Sequence, residues 1–239
     1  MKQKLKLPKI KIFSDGACRA DILKQAKIPL VKGFTTNPSL MRKSGITDYE
    51  KFAKDILRFV KTKPISFEVF SDDFSEMERQ AREIASWGKN VYIKIPITNT
   101  KGKSSFNLVK KLSYDNIKIN VTAVMTLGQV KNIVKALNPK TPSIVSVFAG
   151  RIADTGVNPI PTMRAAAKLL SKLPKAELLW ASPRQPLDVF LAAQAKCDII
   201  TVFPEIIGRF DRIGKDLKEY SLETVKMFYE DARTAGYKL

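Results

Sequence analysis

The strongest constraint in this sequence is an alternation. Eight short runs rich in β-branched and apolar residues stand out: KIKIFS (9–14), VKGFTT (31–36), ISFEVF (65–70), VYIKIPI (91–97), KINVTAV (118–124), SIVSVFA (143–149), ELLWAS (177–182) and DIITVF (198–203). Longer segments with apolar residues at helical spacing lie between them: TDYEKFAKDILRFVK (47–61), SDDFSEMERQAREIASW (71–87), TLGQVKNIVKAL (126–137), PTMRAAAKLLSKL (161–173) and RQPLDVFLAAQAK (184–196). Strands alternating with helices imply crossover connections and parallel pairing. Near-continuous apolar strands are what a parallel sheet covered on both faces requires. Eight such units within 239 residues predict one α/β domain over 1–239, a closed (β/α)8 TIM barrel. A further helical segment, about 221–239, is predicted at the carboxyl end. An open doubly wound sheet would usually carry a phosphate loop, and neither GxGxxG nor GxxxxGK followed by Ser or Thr occurs.

Composition narrows the chemistry. The chain has no histidine, which removes Ser-His-Asp and Cys-His triads, HExxH zinc sites and most transition-metal sites; no metal is predicted. Acid–base work falls to Asp, Glu, Lys, Tyr or ordered water. The balance of 42 basic to 23 acidic residues gives a formal net charge of +19, suited to nucleic acid or to anionic metabolites. The basic residues are spread along the chain, with no RGG tract, zinc-finger spacing or RNP aromatics. The denser amino-terminal lysines read as a solvated arm. No apolar run approaches the roughly 18 residues of a membrane span, and MKQKLKLPKIKIF lacks the apolar core of a secretory signal. Cys18 and Cys197 lie far apart with no C-x-x-C spacing, so a reducing, cytoplasmic setting is expected.

Lys94 breaks the fourth run, two residues before Pro96. Burying an ammonium costs several kcal/mol unless it is paired or loses its proton. From this strand alone, a structural ion pair and a catalytic amine are equally good readings. Other strand ends carry polar groups too: Asp15, Asn37, Glu68, Asn120 with Thr122, Ser146 with Arg151, and Ser182 with Arg184. Each alone has an ordinary explanation, as a turn or cap residue, a small core polar group or a surface cation. At one end of seven successive strands of a barrel, they would surround one cavity. An amine in a pocket with carboxylates is the composition of a Schiff-base enzyme acting on a carbonyl. The amine must be neutral to attack, so Lys94 is expected to be more desolvated than Glu68, with at least one carboxylate reaching it only through water. Arginine forks suit phosphate, which points to a phosphorylated carbonyl compound.

The motifs GFTTNPSL, IKIP around Lys94, NVT, SVFAGR followed by IADTG, and WASPR resemble the transaldolases, particularly the small subfamily that includes fructose-6-phosphate aldolases. The resemblance runs from Ser14 to about Ile207. It implies that Lys94 forms an imine with a donor ketose and that Asp15 takes the C4 hydroxyl proton as the C3–C4 bond breaks. By the same resemblance, Glu68 and Thr122 hold a water for proton transfer. Asn37, Asn120 and Ser146 bind the hydroxyls of the dihydroxyacetone unit, and Arg151, Ser182 and Arg184 bind phosphate. No cofactor is implied, since the protonated imine is the electron sink. The similar aldolases carry Gln and Tyr where this chain has Glu68 and Phe148, which favours transfer to an acceptor over release of free dihydroxyacetone.

The chain departs from the family pattern at Val147, where the family has proline, and at Pro183, which restricts its own φ and Ser182. Release of dihydroxyacetone by an aldolase, or action on another sugar, is the alternative reading; a basic nucleic-acid-binding barrel is a third, resting on charge alone. The partners expected are sugar phosphates, with no nucleic acid and no membrane. Relatives of this size form rings or dimers, so a homo-oligomer is expected.

Overall fold

The computed structural model describes residues 6–239; the first lysines of the expected amino-terminal arm lie outside these residues. Eight strands, β1 (Lys11–Asp15), β2 (Val31–Thr35), β3 (Ile65–Glu68), β4 (Val91–Pro96), β5 (Ile119–Val124), β6 (Ser143–Val147), β7 (Ala176–Trp180) and β8 (Ile199–Val202), pair in sequence order. All pairs are parallel, and β8 returns to β1, closing the barrel. The helices are α1 (Arg19–Ala26), α2 (Pro38–Lys43), α3 (Tyr49–Phe59), α4 (Phe74–Ser86), α5 (Phe106–Tyr114), α6 (Leu127–Ala136), α7 (Ala149–Asp154), α8 (Ile160–Leu170), α9 (Leu187–Gln194), α10 (Pro204–Ile207) and α11 (Leu217–Ala235).

Side chains alternate across each strand, and the alternation sorts them into two apolar groups. Ile65, Phe67, Ile93, Ile95, Val121, Val145, Trp180 and Ile200 join the layer shared with the helices. Phe13, Ile144, Leu179 and Ile199 form a separate cluster with Tyr92 packed on it. This second group fills the barrel interior on the amino side of the polar positions. Gly33 belongs to this packing: a Cβ there would lie 2.6 Å from the Phe13 ring, so only glycine lets the ring occupy the axis.

Helix starts follow the local sequence. Asp48, Asp73 and Thr126 accept backbone N–H bonds at the starts of α3, α4 and α6, and Thr126 forms a capping box with Gln129. Five helices, α1, α2, α5, α7 and α10, fall outside the segments named from hydrophobic periodicity. Helix α1 buries only Ile22 and Gln25, and α5 buries Leu108, Val109, Leu112 and Ser113 from a nine-residue stretch. The carboxy-terminal helix begins at Leu217, a few residues before the predicted segment, and buries none of its residues. Leu222, Val225, Phe228 and Tyr229 on it are all exposed.

Candidate active site

The carboxyl ends of the strands open into a cavity of about 660 Å³. In a closed barrel this is the end where loops of variable sequence meet the last inward-facing residues of each strand. Asp15, Asn37, Glu68, Lys94, Thr122, Ser146, Phe148, Arg151, Ser182 and Arg184 all line it. Asn120 alone among the predicted residues does not. It is fully buried beneath the cavity, donating its amide to Ser66 (3.1 Å) and accepting from the Ser146 hydroxyl (2.6 Å). Through this bond Asn120 is joined to the cavity by Ser146.

Strand register aligns the ionisable groups. Glu68 pairs across the sheet with Lys94, and Lys94 with Asn120. The Lys94 ammonium lies 3.0 Å from a Glu68 carboxylate oxygen and donates to the Thr36 carbonyl at 2.9 Å. Lys94 is the more buried partner, with 7% of its side chain exposed against 17% for Glu68. The second carboxylate stands apart, since Asp15 forms no ion pair with Lys94 among the described residues. It accepts a bond from the Thr35 hydroxyl at 2.7 Å, and Thr35 is in turn bonded to Thr201. Asp15 edges the cavity, but its carboxylate lies deep in the molecule. Desolvation therefore raises its pKa above the ordinary carboxylate value; Lys94 and the Thr35 bond oppose the shift, and Glu68 adds to it.

Thr122 also reflects local backbone geometry. The β5–β6 register shifts between Val121 and Val124, and Ala123 adopts φ +59°. Such an irregularity re-aims a side chain at a strand end. The Thr122 hydroxyl is buried at the cavity with no hydrogen-bond partner among the described protein groups. Asn37 caps α2 by accepting from the Leu40 N–H at 3.0 Å, and also lines the cavity.

On the opposite side of the mouth, the Arg151 guanidinium packs over the Phe148 ring at 5.5 Å. Arg184 pairs with Asp154, its Nε donating at 3.1 Å. Ser182 adopts φ +60°, although a residue before proline normally prefers an extended conformation. The left-handed turn presses its carbonyl against Gly150, where a Cβ would lie 1.6 Å from that oxygen. Only glycine at position 150 permits this approach of the β6 and β7 ends.

Sequence reasoning did not identify Thr35, Thr201 and Lys43, which also line the cavity. Thr35 and Thr201 are ordinary strand threonines until β1, β2 and β8 are brought together. Groups of at least three metal-ligating side chains are absent among the described residues, and no helix there is long and apolar enough to cross a membrane.

A family described as Transaldolase/Fructose-6-phosphate aldolase matches residues 12–239. Among curated relatives named "Probable transaldolase", that of Thermoanaerobacter sp. is 33% identical over 96% of this chain and all of its own length. The protein of Lactiplantibacillus plantarum is 36% identical, covering 84% of this chain and 88% of its own. That of Dehalococcoides mccartyi is 33% identical, with 81% and 86% covered.

Proposed function

Because this chain belongs to the transaldolase/fructose-6-phosphate aldolase family, we propose that it is a transaldolase using Lys94 as a Schiff-base amine. It moves a dihydroxyacetone unit from a ketose phosphate, such as sedoheptulose 7-phosphate or fructose 6-phosphate, to an aldose phosphate. That reaction belongs to the non-oxidative pentose phosphate route. The observation that carries this reading is the Lys94 ammonium in the strand-end cavity, 3.0 Å from Glu68, with Asp15 on the same cavity.

In this mechanism the Lys94 ammonium first gives a proton to Glu68 beside it; the neutral amine then attacks the donor C2 carbonyl, and water leaves as the imine forms. Glu68 beside the amine and the unpartnered Thr122 hydroxyl supply the acceptor and hydroxyl needed to hold a proton-carrying water. Ionised Asp15 takes the C4 hydroxyl proton. The C3–C4 bond then breaks, its electron pair moves into the protonated imine, and the aldose departs. An enamine stays on Lys94, attacks the acceptor aldehyde, and hydrolysis of the new imine frees the product. Ser146 and Asn37 bind hydroxyls of the three-carbon unit, with Asn120 bracing Ser146. Arg151, Ser182 and Arg184 face the phosphate.

Phe148 has no hydroxyl to deliver a proton that would release free dihydroxyacetone, which favours transfer over aldol cleavage. The test is turnover of fructose 6-phosphate with and without erythrose 4-phosphate. Acceptor-dependent turnover is expected; equal turnover without the acceptor would replace transferase with aldolase. The unburied apolar residues of α11 support assembly with other copies, and light scattering of the purified chain tests it. The free thiols of Cys18 and Cys197 are compatible with a cytoplasmic setting.

A further inference from the structure

We propose that Tyr49 is a positioning residue for the imine-forming pair: its hydroxyl holds β2 and β3 apart at their carboxyl ends, fixing Glu68 and leaving the Thr36 carbonyl to Lys94. The inference rests on the Schiff-base reading above.

The β2–β3 ladder is interrupted at Glu68. In a parallel pair, each residue donates to one partner residue and accepts from the residue two further along. The Phe34 N–H donates to the Pro64 carbonyl at 2.8 Å, and the Thr36 N–H to the Ser66 carbonyl at 3.2 Å. The next rung would send the Glu68 N–H to the Thr36 carbonyl. Instead the Glu68 N–H donates to the Tyr49 hydroxyl at 2.8 Å, and that hydroxyl donates to the Glu68 carbonyl, also at 2.8 Å. Both backbone groups of one strand residue face the same side, so one hydroxyl satisfies both. The Thr36 carbonyl, released from the ladder, accepts from Lys94 at 2.9 Å.

Tyr49 is held rigidly enough for this task. It is the first residue of α3, capped by Asp48. Its ring centroid lies 5.3 Å from Phe70, 6.1 Å from Trp87 and 6.3 Å from Phe67. Burial raises its pKa, so the hydroxyl keeps the proton it donates. Without the hydroxyl, Glu68 has an unmet N–H whose nearest ladder acceptor is the carbonyl that Lys94 uses. Closing that rung would put the two donors in competition and move the carboxylate relative to the amine.

The test compares wild type, Tyr49→Phe and Phe70→Leu. Borohydride trapping with fructose 6-phosphate in the wild type comes first; its failure would remove the Schiff-base reading itself. Given trapping, Tyr49→Phe keeps the ring contacts and is expected to fold. Its kcat and imine-trapping rate are expected to fall about ten-fold or more, with KM within about three-fold, as misplacement of reacting groups requires. Phe70→Leu loosens the same aromatic cluster but keeps the hydroxyl, and is expected to lower the unfolding midpoint with kcat and trapping rate nearly unchanged. Wild-type trapping and kcat in folded Tyr49→Phe would overturn the proposal. Equal catalytic losses in both variants, following stability, would overturn it too.

Discussion

The Lys94–Glu68 pair can be tested apart from turnover, through stability. At 3.0 Å, Coulomb's law with an effective dielectric constant of about 20 gives roughly 5 kcal/mol as a ceiling for the attraction. Glu68 opens onto the cavity, so water takes up part of it. Replacing Lys94 by Met leaves Glu68 without its cation and the Thr36 carbonyl without its donor. A loss of about 2–4 kcal/mol is expected, below the 3–5 kcal/mol typical of a fully buried pair broken on one side. Changing Glu68 to Gln as well removes the uncompensated charge. The double variant should therefore lose about 1–3 kcal/mol less than the two single losses combined. Urea unfolding of the four proteins at pH 7 measures this coupling, provided the m-values match. Additivity within about 0.5 kcal/mol would mean that the two groups, adjacent in the structure, do not interact in solution, and the electrostatic account of the site would fail.

Two further variants probe the remainder of the cavity. Asp15→Asn should lower turnover by about 10²–10⁴-fold, the usual contribution of a general base. The same change should stabilise the protein at neutral pH: the folded state holds the Asp15 proton above the ordinary value of 3.8. Wild-type stability therefore falls as pH rises from there through the raised folded pKa, and the cost persists above it. The advantage of the variant should be present at pH 7 and vanish below pH 3.8; urea midpoints compared across pH reveal whether it does. Gly150→Ala places a carbon on the Ser182 carbonyl, and the backbone must shift to admit it. A stability loss of about 1–3 kcal/mol or more is expected, with a raised KM for the sugar phosphate and imine trapping retained. An unchanged unfolding midpoint would show that the β6 and β7 ends are not packed as described.

The barrel was legible because its eight strands are apolar runs of the right length and separation. The groups at their carboxyl ends were legible because polar residues in such runs need a reason. Lys94, Asp15, Glu68 and Thr122 were identified on that ground and by the family motifs, and they share one cavity. Asn120 looked equivalent to them in sequence. Its position along β5, two residues before Thr122, places it one layer lower, and only the bonds to Ser66 and Ser146 reveal this. Tyr49 was hidden for another reason. It sits at the start of a helix in an amphipathic segment, where an aromatic residue reads as core. Its role depends on where two strands stop pairing, a property of the assembled sheet. The left-handed Ser182 runs against the local preference set by Pro183, and was visible only once Gly150 was in place beside it.

The most direct measurement is sodium borohydride reduction of the protein with fructose 6-phosphate, followed by peptide mass mapping. One reduced three-carbon adduct is expected, on the peptide containing Lys94 and on that side chain, and it should be absent from Lys94→Met. An adduct on another lysine, or none under conditions of active turnover, would contradict the covalent role assigned to Lys94.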